Sequence, residues 1–311
     1  MKVRVATGTA IHLGLRRGKL PSRPTTAHLL TPGKCTFDCA YCTKARSSVS
    51  NPDFMCRITW PAHSERHVWD ALEETSSAFT RICIQVVNGP GCFETAKRWT
   101  REAKSRCDLP VSVEARVNNP SDVAGLLREG ADCVGLPLDV ASERLHPVLR
   151  GGRLDEALEL TLSSADSFPG RISTHIIVGL GETDEEMVDV SRRVLEKDVP
   201  LALFAFTPCK GTRLENRDPP SLKRFRKIQL ATHLIAEDTG ARLEFDRAGG
   251  LILPSIEEDN LISMMGKALL TRGCEGCNRP FYNERPGCTP YNYPETLTEE
   301  QIEEEMRVIR S

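Results

Sequence analysis

Apolar residues along this chain recur with two periods. Short β-rich runs predict strands at 26–30, 81–87, 111–116, 133–138, 173–178 and 202–207, with a seventh, weaker one at 242–245. Between them, apolar positions three and four apart predict amphipathic helices at 64–76, 94–105, 121–129, 154–164, 184–196 and 222–236. Thr183 and Glu186 have the spacing of a capping box that opens the fifth of these. Strand and helix alternating in this way imply a parallel sheet, so the expected class is α/β, with a partial or full (β/α) barrel. In such barrels the functional loops follow the C-terminal ends of the strands. After about Gly250 the pattern weakens. Residues 1–249 are read as the barrel. Residues 250–311 are read as a C-terminal extension packed across the barrel mouth, ending in a Glu-rich amphipathic stretch at 298–309.

The 311 residues carry 41 basic and 43 acidic side chains, a formal charge of −2 with signs interspersed. That balance gives no electrostatic footprint for nucleic acid. With 5% aromatic residues, a base-stacking surface is not expected either. The first twenty residues lack the apolar run of a signal peptide, and the apolar run at 201–206 is far too short to span a bilayer. The expected location is cytoplasmic, with neither membrane nor nucleic acid as partner. In a reducing compartment, twelve cysteines then point to metal or redox chemistry rather than a disulfide framework.

Three of those cysteines crowd one loop. In "GKCTFDCAYCTKARSS", residues 33–48, Cys35, Cys39 and Cys42 follow the first predicted strand. A structural zinc takes four protein ligands. Three thiolates on a cubane iron–sulfur cluster leave one iron open to a small molecule. The bland alternative is a zinc knuckle or three unrelated thiols. The Cys-x3-Cys-x2-Cys spacing, with the aromatic Tyr41 before the last cysteine, resembles the radical S-adenosylmethionine (radical SAM) enzymes. The resemblance implies a [4Fe–4S] cluster on Cys35, Cys39 and Cys42 whose open iron chelates SAM. It also implies reductive cleavage of SAM to a 5′-deoxyadenosyl radical that abstracts hydrogen, with ferredoxin or flavodoxin as a suitable electron donor. "VGLGETDEE" at 178–186 is similar to the glycine loop of biotin-synthase-like members, which implies an approach of Gly179 and Gly181 to the adenine; an ordinary helix-entry turn looks the same. Asp139, at a strand end, is implied near the ribose hydroxyls. Of Glu114 and Arg116, one is expected inward and the other away, with Glu114 the candidate for the SAM amino group or ribose. Arg150 is a candidate for the SAM carboxylate, or a solvated surface arginine.

"RGCEGCNRPFYNERPGCTPYNYP" at 272–294 is the second unusual stretch, with Cys274 and Cys277 as a Cys-x2-Cys pair and Cys288 ten residues on. It reads as an auxiliary iron–sulfur cluster, a second [4Fe–4S], or as a zinc ribbon. Cys209 competes with Cys288 for the third ligand position. A barrel with such an auxiliary cluster resembles the sulfur-inserting biotin and lipoyl synthases, and "CNRPFYNERPG" looks closest to the archaeal-type lipoyl synthases that work as two proteins. The chain lacks a second cysteine motif upstream of Cys35 and a terminal Arg-Ser-Ser-Tyr motif, both of which belong to the single-protein type. The resemblance implies sulfur insertion into an octanoyl chain on a carrier protein or peptide, together with a second radical SAM protein. The alternatives are a radical SAM lyase or mutase with a structural second cluster, and a zinc-stapled binding protein. Cys56, Cys83, Cys92, Cys107, Cys133 and Cys209 stand isolated in sequence. Cys83 and Cys133, within strands, are read as small core residues, and His175 as a core histidine or as one that faces the barrel lumen.

Overall fold

The computed structural model describes residues 1–254 and 256–310. In chain order the elements are β1 (Lys2–Val5), α1 (Thr7–His12), β2 (Thr26–Leu30), a hairpin of β3 (Phe54–Met55) and β4 (Ile58–Thr59), β5 (Ala62–Ser64), α2 (Glu65–Thr75), β6 (Arg81–Gln85), α3 (Cys92–Arg106), β7 (Val111–Glu114), α4 (Pro120–Arg128), β8 (Cys133–Gly135), α5 (His146–Leu149), α6 (Leu154–Ser167), β9 (Ile172–Val178), α7 (Asp184–Leu195), β10 (Leu201–Ala205), α8 (Leu222–Ala236), a second hairpin of β11 (Glu244–Phe245) and β12 (Leu251–Ile252), α9 (Glu258–Ala268) and α10 (Glu299–Arg310). Among the described residues no helix is long and apolar enough to cross a membrane.

One eight-stranded sheet runs β10-β9-β8-β7-β6-β2-β1-β5. From β2 to β10 every neighbour is parallel, with Leu29 opposite Ile84 and Ile84 opposite Val113. β1 lies antiparallel to β2 and β5. The strands are apolar throughout because helices cover one face and the other lines an interior; β2 is buried along its whole length. On the helical side Trp69 of α2 and Trp99 of α3 meet edge to face with ring centroids 6.4 Å apart. The capping box is present: Glu186 N donates to Thr183 Oγ1 at 3.1 Å, and Thr183 N donates to the Glu186 carboxylate at 2.8 Å.

Two expectations need correction. The cysteine loop follows the second strand, because the short β1 precedes it. The weak run at 242–245 stays out of the sheet; Glu244 and Phe245 pair only with Ile252 and Leu251, in a hairpin against α7 and α8. Of the two barrel forms expected, the partial one is present: the parallel strands form an open arc that does not close.

Nor does the extension lie across the mouth. Residues 271–293 form a strap that bridges the gap between the two sides of the arc. On the β2 side Thr25 N donates to Asn278 Oδ1 at 2.9 Å, and Asn278 Nδ2 donates to Arg23 O at 2.9 Å. On the β10 side Asn283 Nδ2 donates to Ala205 O at 2.6 Å, and Asn292 Nδ2 to Leu203 O at 3.0 Å. The stretch from Gly273 to Asn278 passes Ala202, Ser112 and Thr80, residues at the N-terminal ends of strands, so it closes the floor of the lumen. Gly273 has φ +116, and a Cβ there would lie 2.9 Å from that of Ala202, so a side chain has no room. The tail is fastened by a buried ion pair. Arg226 of α8 and Glu305 of α10 are both 0% exposed, with Nη2 to Oε1 at 2.6 Å, and Tyr293 Oη donates to the same carboxylate at 2.7 Å.

Candidate functional site

The loop after β2 owes its shape to backbone hydrogen bonds that neighbouring loops supply. Cys35 N donates to Lys44 O at 3.0 Å, Thr36 N to Asn88 O at 2.8 Å and Ala40 N to Leu149 O at 2.7 Å. Asp38 Oδ1 accepts from Ser47 N at 2.8 Å. The turn after β6 presses so closely that a Cβ on Gly89 would lie 2.7 Å from Lys34 O. Gly89→Ala is therefore expected to cost about 1–3 kcal/mol through overpacking and to lower iron occupancy at the adjacent Cys35. Urea unfolding and iron analysis check it, and an unchanged midpoint would show that the Lys34 carbonyl yields freely.

Lys44 N donates to Cys42 Sγ at 3.4 Å, a contact that favours a thiolate. Without metal, burial pushes the Cys42 thiol up to about 12, and burial followed by Asp139 pushes Cys39 up. Iron binding must therefore displace these protons. Cys35, Cys39 and Cys42 line one cavity of about 250 Å³ that runs down the lumen to Cys274 and Cys277 on the strap.

Between the two thiol sets stands a chain of charged groups. Asp139 has φ +60 and pairs with Ile176 in an isolated bridge. Its carboxylate accepts from Arg150 Nε at 3.1 Å and pairs with His175 Nε2 at 3.0 Å. His175 Nδ1 lies 3.7 Å from Glu114 Oε2. Burial works against the Asp139 charge, but His175 and Arg150 hold it well below the usual carboxylate range. Burial first, and the Cys274 sulfur second, push Glu114 up to about 7. Arg150 is buried, not a solvated surface arginine, and it is already neutralised by Asp139. Arg116 also lines the cavity, stacking over Phe37 at 3.9 Å and donating to Arg150 O at 3.0 Å. Glu114 and Arg116 thus share the lumen, as positions two apart on an extended chain must.

Tyr41 lines the cavity with its hydroxyl buried and without a hydrogen-bond partner. Gly179 and Gly181 do not line it. Their φ values are +106 and +109, and Cβ atoms there would meet Pro220 at 2.7 Å and Arg217 at 2.8 Å, so packing accounts for both glycines. Cys274 and Cys277 line the lumen floor, whereas Cys288 stands exposed in a turn of its own and outside the lining. Cys209 is engaged elsewhere, its sulfur 3.9 Å from Cys56 Sγ near the mouth. Neither competitor for the third position joins the pair. Cys56, Cys209 and His175 stand far apart in sequence, and their positions here depend on loops and register that no local pattern carries. Among the described residues no three His, Cys, Asp or Glu side chains are gathered as ligands of one metal ion. A cubane makes a different demand, since each thiolate goes to its own iron. Three soft donors on one wall of a lumen, one of them already facing a backbone N–H, fit that demand.

The comparisons agree with this chemistry. Residues 29–194, more than half of the chain, match the family model described as the radical SAM superfamily. The biotin synthase of Acaryochloris marina (strain MBIC 11017) is 26% identical over 227 residues, 70% of this chain and 63% of that enzyme, so the match spans less than two thirds of the relative. The biotin synthase of Clostridium botulinum (strain Loch Maree / Type A3) is 23% identical over 78% of this chain and 73% of its own length. Among solved structures, methylornithine synthase superposes with a TM-score of 0.54 at 15% identity, covering 69% of this chain and 63% of that one. A maturase of the [FeFe]-hydrogenase superposes with a TM-score of 0.55 at 13% identity, covering 68% and 50%. The structural likenesses speak for the fold alone. The chain belongs to the radical SAM superfamily, and the [4Fe–4S] cluster and SAM that this family implies find fitting donors in Cys35, Cys39 and Cys42.

Proposed function

We propose that this chain is a radical SAM sulfurtransferase that replaces hydrogen by sulfur at an unactivated carbon of an octanoyl chain carried on a protein or peptide. In this reading it is a lipoyl-synthase type working with a second radical SAM protein, and a ferredoxin or flavodoxin supplies its electrons. One observation carries the reading: a single lumen has three thiols at its mouth and further thiols at its floor, with apolar side chains lining the way beside the charged chain of Arg150, Asp139, His175 and Glu114. When bound, the first cluster and SAM supply a radical able to take hydrogen from a C–H bond. The protein's part is positional. Arg150, Asp139 and His175 form a fixed frame beside the cysteine loop. Val86, Ile177, Phe204 and Phe206 line the way down, a surface suited to hydrocarbon and poor for water. Tyr282 packs on Phe204 with centroids 4.9 Å apart, so the strap supplies part of that wall.

Anaerobic incubation with SAM, a one-electron reductant and an octanoyl-lysyl peptide is expected to give a peptide whose mass corresponds to C–H replaced by C–SH. Formation of 5′-deoxyadenosine with no sulfur in any product, even with the partner protein present, would overturn the reading in favour of a lyase or mutase.

A further inference from the structure

Resting on the sulfur-transfer reading above, the geometry points to a second cluster held by Cys83, Cys133, Cys274 and Cys277 on the lumen floor, with Cys288 taking no part. Strand register brings the first two together. Cys83 of β6 pairs with Ser112 of β7, and Ser112 pairs with Cys133 of β8. Directly paired residues on parallel strands project from the same face, so thiol, hydroxyl and thiol form one row, of which Cys83 lines the cavity. The strap then sets Cys274 over the row. Its sulfur lies 3.7 Å from Ser112 Oγ and 3.7 Å from Ser173 Oγ, while Cys133 Sγ lies 3.4 Å from that same Ser173 Oγ. Cys277 follows in the same turn, its N–H donating to Cys274 O at 3.2 Å, and Cys83, Cys274 and Cys277 line the same cavity.

The spread of the set argues for a cluster over a single ion. Cys83 and Cys133 leave the sheet two strands apart, roughly 10 Å between backbones. A lone zinc, with sulfurs about 2.3 Å from it, draws its thiolates close together. A cubane gives each thiolate its own iron corner and spans the wider gap. The neighbours also await a ligand. His28, opposite Cys83 in the register, is buried with both ring nitrogens unpartnered, and Arg279 Nε is buried and unpartnered too. Both line the cavity, so donors stand beside the position of a sulfide-rich anion. Four thiols make a full cysteine set, so the fourth ligand need not come from outside the floor.

The test removes the first site and reads the second alone. A protein with Cys35, Cys39 and Cys42 all changed to Ala, reconstituted anaerobically with iron and sulfide, is expected to hold about four irons and about four sulfides per chain. Adding Cys83→Ala or Cys133→Ala should bring iron below about one per chain, whereas adding Cys288→Ala should change nothing. Cys83→Ser and Cys133→Ser, which keep the side-chain volume, serve as the folded comparison. They should alter the electron paramagnetic resonance of the reduced cluster at matched circular dichroism. Full iron with unaltered spectra in the Cys83 and Cys133 variants, with loss in Cys288→Ala, would overturn this ligand set and leave the sulfur-donor reading standing. A folded triple variant that takes up no iron would sink the sulfur-donor reading itself. Zinc without sulfide would overturn both.

Discussion

Cys39→Ala abolishes formation of 5′-deoxyadenosine: that is the expected result, and the largest functional effect any single change in this chain should have. Cys39 sits in the loop that Ala40 ties to Leu149, beside Arg116 and Arg150. Its sulfur has no substitute within that loop, since Cys35 and Cys42 hold the other two corners. Iron should fall by about four per chain while the floor thiols keep theirs. Chromatography of SAM incubations under strict anaerobiosis checks the first expectation, and iron and sulfide analysis the second. Cleavage at the wild-type rate would mean that the radical-generating site has been assigned to the wrong cysteines.

The largest effect on stability is expected from Glu305→Ala. Removing one partner of a buried ion pair leaves the other charge uncompensated, at a cost of about 3–5 kcal/mol. Here the stranded group would be Arg226, which is 0% exposed and also donates to the carbonyls of Pro290 and Tyr291. Those two carbonyls belong to the strap, so the loss should be felt beyond α10. Urea unfolding followed by circular dichroism should show the midpoint falling sharply for Glu305→Ala and less for Glu305→Gln, which keeps the shape and one acceptor. A loss under about 1 kcal/mol would show that the carbonyls alone satisfy the guanidinium.

The six parallel strands were legible as short β-rich apolar runs, which burial of both faces requires, and α8 because apolar positions three and four apart recur along it. β1 and α1 are only four and six residues long, too short for a period to stand out. α9 buries only Met265 and Ala268, which leaves a weak stripe in the sequence. Cys35, Cys39 and Cys42 were legible for another reason: one loop holds all three. The floor was not. Cys83 and Cys133 each look like a small core residue in a strand, and only register across Ser112 shows that they share a face. Cys288 is close to the pair in sequence, yet it stands exposed and outside the cavity lining, next to Gly287 with φ +91. Asp139 and His175 were noticed separately; the 3.0 Å contact joining them depends on two strands meeting.

The strap that seals the floor also sets a calendar for the molecule. Synthesis runs from the N-terminus, so the arc of strands, with Cys83 and Cys133 already in their row, exists before Cys274 and Cys277 emerge. For that interval the lumen is a trough, open along its length between β2 and β10. Once residues 271–293 bridge the gap and α10 locks onto Arg226, it becomes a flask with a single neck. An inorganic core built in the finished chain must therefore come down that neck or wait for the strap to lift. The Arg226–Glu305 pair, which holds the carbonyls of Pro290 and Tyr291, is then the clasp whose strength sets how readily the floor is reached.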